Sequence, residues 1–339
     1  MSSSGQKFAV IGVDHGHAIG MARGLIGAGA ACKGWWTRGD TEGAKQFAGQ
    51  FPDLVRFDDR RRLLDDPETE FVVIAAINSE RAAFALEALE AGKDVLVDKP
   101  GCTSLDDLAR IENAVAETGR KWIVFFGERL GVPSATMADR LISEGAIGDV
   151  IQTIGLGPHQ LRADVRPDWF WNREQYGGIL TDIAAHQFDQ FLHFTRSTDA
   201  EVVSSATGRF GAHEGNGFED FGEALIRSPH ASGYARVDWF TPDGLGTWGD
   251  GRMTILGTKG YIELRKYIDI AGAPGTDHLF LVNGEAPQRI DCSGVGTPFF
   301  AQFLEDVRTR EESAMRQQHA FAATRLALVA QRDAKRIGK

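Results

Sequence analysis

Between residues 8 and 126 the chain alternates short apolar runs with longer segments of helical period, and this alternation narrows the possible folds more than any other feature. Residues 8–12 read FAVIG, 31–37 ACKGWWT, 71–76 FVVIAA, 94–97 DVLV and 121–126 KWIVFF. Short, mostly apolar runs lacking the in-out alternation of a half-exposed strand belong in a parallel sheet covered on both faces, the doubly wound α/β arrangement. Helices are expected after the first run to about residue 28, then at 41–49, 59–64, 79–91 and 104–117, with Gly92 as a stop. Such sheets take their ligands at the carboxyl ends of the strands. Gly12 ends the first run there, and the helix N-terminus that follows suits a pyrophosphate. The GxGxxG frame is degraded, because Asp14 and His17 stand at its second and third glycine positions. An ordinary strand-to-helix turn therefore competes with a dinucleotide loop formed by Gly12, Asp14 and His15. The DHGH string also invites a metal, but it has no partner ligands in view and no metal site is expected.

The other runs end in further candidates. The second leads into Thr37, Arg38, Gly39 and Asp40, where a hydroxyl and a guanidinium suit a 2′-phosphate and tilt the cofactor towards NADP over NAD. An exposed arginine in a turn accounts for the same residues equally well. Ala76 and Asn78 close the third run at the same edge, and Lys99 sits at the tip of the fourth, held by the rigid Pro100.

Beyond residue 126 the pattern changes. A loop and helix over 128–148 precede strands at 150–155, 202–210, 223–227, 232–240, 252–256 and 261–265, and strands without intervening helices point to an antiparallel sheet. Helices at 298–309 and 319–336 should close the chain. Within this half, 177–189 reads GGILTDIAAHQFD, a glycine turn entering a helix. Leu180, Ile183, Ala184, Phe188, Phe191 and Leu192 form its core face, while Asp182 and His186, four apart, share another stripe with Asp189 and His193. That stripe could present an acid and a base to a cleft, or it could be a dipole-favoured Asp beside a core or surface His. The stretch 157–171 gathers His159, Arg162 and Trp169, which suit a polyhydroxylated ligand, though a surface loop pinned by its aromatics has the same composition.

A formal net charge of -10 disfavours nucleic acid or an anionic membrane as partner. Cys32, Cys102 and Cys292 are far apart and outside any CxxC pattern, so neither a disulfide framework nor a thiolate metal site is indicated. The first residues, MSSSGQK, carry no apolar signal core, and no apolar stretch is long enough to span a membrane, so a cytoplasmic enzyme is expected.

The run ALEAGKDVLVDKP ending at Pro100, AIGDV at 146–150 and GGILTDIAAHQFD together resemble the glucose-fructose oxidoreductase/inositol dehydrogenase/rhizopine catabolism (Gfo/Idh/MocA) family, in the family's order and over nearly the whole chain. The resemblance implies an α/β Rossmann domain followed by an α+β domain with a large, mostly antiparallel open sheet. It implies residues 1–126 as the nicotinamide-dinucleotide-binding domain and 127–318 as the substrate-binding and oligomerisation domain, with a C-terminal helix in 319–339 packing back on the first. It further implies a homodimer or homotetramer formed through the open sheet, and a sugar, inositol or related polyol as substrate. Carried over residue by residue, Lys99, Asp182 and His186 become the catalytic set, with His186 taking the hydroxyl proton, Lys99 stabilising alkoxide charge and Asp182 orienting substrate or histidine. Gly12, Asp14, His15, Thr37, Arg38, Ala76, Asn78 and Lys99 become the cofactor contacts, and His159, Arg162 and Trp169 the substrate contacts. Two departures stand out: the usual TPNxxH is Ala76-Ile77-Asn78-Ser79-Glu80-Arg81, and the usual Glu before Lys-Pro is Asp98. A glycosidase of the same family, working by transient oxidation and elimination, is the alternative activity. A non-catalytic cofactor sensor fits less well, because such members tend to lose the Lys, Asp and His retained here.

Overall fold

The five apolar runs become five parallel strands, their side chains buried on both faces. In the computed structural model, which describes residues 5–211 and 217–338, the chain begins β1 (Lys7–Ile11), α1 (His17–Gly27), β2 (Ala31–Trp36), α2 (Glu42–Gln50), α3 (Arg61–Leu64), β3 (Phe71–Ile74), α4 (Arg81–Glu90), β4 (Asp94–Asp98), α5 (Leu105–Thr118) and β5 (Trp122–Phe125). The sheet order is β2-β1-β3-β4-β5, so the order reverses between β1 and β3 and a ligand crevice is expected beyond those two strand ends. Ser104 caps α5 by accepting from the Asp107 amide, and Gly119 ends it at a φ of 64°.

The chain continues with α6 (Gly127–Leu130), α7 (Pro133–Ser143), β6 (Val150–Pro158), α8 (Asp168–Trp171), α9 (Arg173–Tyr176), α10 (Ile179–Asp182), α11 (Ala185–Phe194), β7 (Glu201–Arg209), β8 (Phe221–Arg227), β9 (Ser232–Asp238), β10 (Arg252–Gly257), β11 (Gly260–Arg265), β12 (His278–Val282) and β13 (Gln288–Ile290). It ends with α12 (Phe299–Thr309), α13 (Gln317–Arg332) and β14 (Lys335–Gly338). The second sheet has nine strands in the order β13-β12-β11-β10-β6-β9-β8-β7-β14. It is mostly antiparallel, with β6–β9 and β7–β14 as its parallel pairs.

Packing divides the chain into two compact units, Met1–Phe125 with Pro298–Phe321, and Phe126–Thr297 with Ala322–Lys339. This differs from the expected division at residues 318 and 319. In the first unit α12 supplies the extra layer, with Phe299 and Phe300 against Phe125 and Phe303 against Phe71, and Phe321 at the start of α13 stacks on Trp122. Aromatic side chains on these helices complete a sheet face already rich in Phe and Trp, which is why this segment joins the first unit. The remainder of α13 belongs to the second unit, where Ser205 Oγ donates to the Ala330 carbonyl at 2.7 Å and Gln331 Nε2 donates to Glu219 at 3.1 Å. The expected helix to residue 336 stops at Arg332, because residues after it pair with β7 as β14.

In the second unit the helix-facing side of the sheet carries glycines where α11 comes close. A Cβ on Gly155 would lie 2.8 Å from the Gln187 side chain, and one on Gly157 would lie 2.9 Å from it. Both are on β6, two apart and therefore on one face, so they let α11 approach more closely than any side chain would allow. Beyond them, Val132, Ala135, Ala138, Met253, Ile255, Ile262, Leu264 and Leu279 form the core beneath α7.

Candidate functional site

In the first unit the turn after β1 is set by Gly12, at a φ of +77°, where a Cβ would fall 2.4 Å from that of Ala76. The Gly12 amide donates to the Trp36 carbonyl at 2.7 Å and the His15 amide to the Ala75 carbonyl at 2.9 Å, which ties the turn to both neighbouring strands at the switch point. Helix α1 then starts at His17, with Gly16 at its N-cap and no acidic residue in its first turn; the His17 amide donates to His15 Nδ1 at 3.4 Å and the Ala18 amide to the His15 carbonyl at 3.1 Å. A close backbone approach at Gly12 and a helix that begins at the switch point without an acidic residue in its first turn fit a dinucleotide, despite the two missing glycines.

The loop residues divide in their roles. Thr37 is buried; its hydroxyl donates to Asp14 Oδ2 at 3.4 Å and accepts from the Val13 amide at 3.4 Å, so it braces the loop. Burial, reinforced by Glu80, raises the Asp14 pKa. Arg38 is exposed and pairs with Glu80 at 2.5 Å, while Asp40 pairs with Arg56 at 2.5 Å. Asn78, buried, opens a short 3-10 turn after β3.

Asp98 explains the two departures from the family pattern. Its carboxylate is completely buried and meets Arg81 Nη2 at 3.1 Å, His15 Nδ1 at 3.2 Å and His17 Nδ1 at 2.9 Å. Burial opposes its ionisation, but His17, Arg81 and His15 outweigh that and hold the carboxyl well below the usual range. Arg81 also donates to the carbonyls of Ala76, Asp98 and Lys99, so it fastens the ends of β3 and β4 and the backbone of Lys99, whose residue is 5% exposed and precedes a cis proline. His15, His17 and Asp98 bring three donor atoms within 4.8 Å of one another, a metal-like grouping that the loop sequence alone did not reveal. Arg81 also meets the shared carboxylate, so the grouping ties the loop after β1 to the ends of β3 and β4.

In the second unit the helix expected across Asp182 and His186 is interrupted. α10 ends at Asp182, α11 begins at Ala185, and across the break the His186 amide reaches the Ile183 carbonyl at 3.2 Å. The halves seat separately: Ile179 and Leu180 pack at Gly222 of β8, Phe191 at Gly233 of β9, and Gln187 at β6. Asp182 and His186 remain neighbours in sequence and are buried, at 6% and 3% exposure. Asp189 and His193 do not extend the pair as expected. Arg129 grips Asp189 with two bonds of 2.7 and 2.6 Å, and His193 meets Asp139 at 2.9 Å. Burial, followed by the Arg129 charge, lowers the His193 pKa to about 4.

Of the residues expected to meet substrate, His159 lies edge-on to Trp248 at 4.6 Å and Trp239 at 5.4 Å, with Nδ1 3.0 Å from the Gly157 carbonyl. Trp169 packs against Phe170. Arg162 is exposed, has a φ of 47° and donates to Gln160, so it is not part of this cluster. Arg166, four residues later, lies over the rings of Phe170 at 4.5 Å and Trp239 at 4.9 Å. Burial lowers its pKa, and the Asp182 charge opposes that. Sequence reasoning also missed Glu128 and Lys266, which form an ion pair of 2.8 Å with both side chains buried. They are far apart in the chain, and no local pattern announces them.

Residues 7–126 match the family described as oxidoreductase family, NAD-binding Rossmann fold, and residues 136–263 match the GFO/IDH/MocA C-terminal domain. A crystal structure from Erwinia carotovora atroseptica, described as that of a candidate oxidoreductase, is 46% identical, superposes with a TM-score of 0.95, and the match covers 98% of this chain and 99% of that one. The levoglucosan dehydrogenase of Pseudarthrobacter phenanthrenivorans is 31% identical over 134 residues, 39% of this chain and 34% of its own length. An NADP(+) scyllo-inositol 2-dehydrogenase of Bacillus subtilis is 27% identical over 156 residues, 45% of this chain and 42% of its own length. The chain spans half or less of the length of the first curated relatives it matches.

Proposed function

The chain belongs to the Gfo/Idh/MocA oxidoreductase family, and from that premise we propose that it is an NAD(P)-dependent dehydrogenase or reductase acting on a secondary hydroxyl or ketone of a sugar, inositol or related polyol. Relatives named for levoglucosan and scyllo-inositol support the substrate class. The observation that carries the reading furthest is the retention of Lys99, Asp182 and His186, each largely buried and two of them flanking the break between α10 and α11. Bound nicotinamide would supply the hydride acceptor or donor. His186 accepts the hydroxyl proton during oxidation, a task suited to an imidazole. Lys99 donates to the same oxygen and stabilises its developing charge. Asp182, with Arg166 beside it, orients the substrate hydroxyls, and His159 and Trp169 offer a polar edge and an apolar face to the ring.

NADP(H) is the cofactor we place ahead of NAD(H). Arg38 stands at the end of β2 with one surface carboxylate as partner, a pair weak enough for the guanidinium to turn to a 2′-phosphate. A homo-oligomer formed through the open sheet face is part of the same proposal, supported by exposed Ile154 and Tyr261 there. The test is tryptophan fluorescence titration with NADH and NADPH, on wild type and Arg38→Ala, followed by a polyol screen at the nicotinamide absorbance. NADPH binding that weakens selectively in the variant, with net turnover on a polyol, is the expected result. No binding of either nucleotide would overturn the proposal, and sugar release without net turnover would transfer it to the glycosidase reaction.

A further inference from the structure

We propose that Glu128 and Lys266 are positioning residues for His186: a buried ion pair that fixes the histidine's backbone and sets the field in which the imidazole takes up its proton. The inference rests on the role of His186 as base. Lys266 follows β11 and Glu128 lies on α6, so the sequence gives no local reason for them to meet. Lys266 Nζ is 2.8 Å from Glu128 Oε2 and donates to Gln190 Oε1 at 2.9 Å; Gln190 Nε2 in turn donates to the His186 carbonyl at 2.9 Å. Gln187, next to the histidine, donates to the same Glu128 oxygen at 3.2 Å. All five residues are at least 97% buried. An apolar pair of the same volume would pack as well or better, so a buried charge pair linked to the base's own peptide points to a role beyond packing.

The electrostatic setting gives the role a sign. Burial opposes ionisation of Glu128, yet Lys266, then His186 and His159, bring its pKa down to about 2, which places both imidazoles within its field. Among the described residues, the charged and titratable groups around α11 include Glu128 and Arg129 from α6, Asp139 from α7, Asp182 from α10, His159 at the end of β6, Arg196 just after α11, and Lys266 with Tyr267 after β11. Asp189 and His193 lie on α11 itself. Arg129 with Asp189 is one buried pair and His193 is held by Asp139; in the second buried pair, Glu128 with Lys266, the carboxylate acts on His186 while the ammonium offsets it. Removing one partner of the second pair therefore unbalances the field in a known direction.

The experiment follows the histidine ring resonances by NMR against pH, with His186 assigned by its loss in His186→Gln. Lys266→Met leaves the Glu128 carboxylate to stabilise the imidazolium, and the His186 titration should move up by about one unit. Glu128→Gln leaves the ammonium, and the titration should move down by a similar amount. The double variant should return towards wild type, as should the charge-preserving Lys266→Arg, which also covers poor folding of Lys266→Met. In the oxidation direction the acid limb of the kcat profile should follow the same shifts. A purely structural pair would destabilise both single variants without opposite titration shifts, so shifts of one sign, or no shift in either, would overturn the inference. Opposite shifts without turnover on any polyol would leave the electrostatics standing and remove the proposed function. Turnover with an unmoved titration would remove only the inference.

Discussion

Asp189→Asn should be among the more damaging single substitutions in the second unit. Asp189 is completely buried, Arg129 is 9% exposed, and their two bonds of 2.6 and 2.7 Å join α6 to the helix that carries His186. The amide keeps the shape but removes the charge, leaving the guanidinium buried with nothing to neutralise it. Breaking a buried pair in this way costs about 3–5 kcal/mol. For a unit of this size that corresponds to roughly 10 °C in the melting transition. Replacing both partners with apolar groups of similar length, Arg129→Met with Asp189→Leu, removes both desolvation penalties and should recover most of the loss. Differential scanning calorimetry, with urea unfolding followed by circular dichroism, gives the two quantities. A loss below about 1 kcal/mol in Asp189→Asn, or a double variant as unstable as the worse single, would refute the reasoning.

Gly12→Ala should abolish nucleotide binding and cost roughly 1–3 kcal/mol, since the new Cβ meets Ala76 at 2.4 Å and alanine is strained at a φ of +77°; wild-type NADPH affinity in the fluorescence titration would refute the loop assignment. Stability should fall on acidification from pH 6.5 towards pH 4, because His193 titrates at about 4 in the folded chain against 6.5 unfolded. The unfolded chain binds that proton first, so stability present above pH 6.5 is lost as pH falls through the folded value, by about 3 kcal/mol. His193→Gln should flatten the urea midpoint across this window, and an unchanged slope would count against the assignment.

The first unit was legible because its strands are largely buried on both faces, β2 being exposed only at its start, which makes each a mostly apolar run between glycine and helix signals. In the second unit the strands that alternate were legible, but β12, β13 and β14 were not. β14 reads KRIG and lies at the exposed edge of the sheet; only its pairing with β7 makes it a strand, and no local propensity records that. The break between α10 and α11 is hidden for a similar reason, since 179–194 keeps helical spacing throughout and the interruption comes from how each half seats on the sheet. The site divides in the same way. Local spacing puts Asp182 and His186 on one stripe and Lys99 at a strand tip, and the family resemblance is what singles them out as candidates, whereas Arg129 beside Asp189 and Lys266 beside Glu128 become visible only when distant segments meet.

The departures from the family pattern show the same long-range logic, and they are coupled rather than independent. Shortening the acid before Lys99 to Asp98 would leave space at the end of β4, and losing the histidine after Asn78 would remove a polar group from the same edge. Arg81 fills both places, holding the Asp98 carboxylate and the carbonyls of Ala76, Asp98 and Lys99 at once. His17, which stands at the third glycine position of the frame, and its neighbour His15 complete the ring around that carboxylate and join the degraded loop to the strand that carries Lys99. A glycine loop holds its shape because glycine permits the turn; this loop keeps Gly12 for that purpose and holds the rest by side-chain bonds, Asp14 to Thr37 beyond β2 and His17 to Asp98 at the end of β4. The motif is therefore weaker to the eye than in the folded chain, where the two residues that replace its glycines are each tied to a neighbouring strand end.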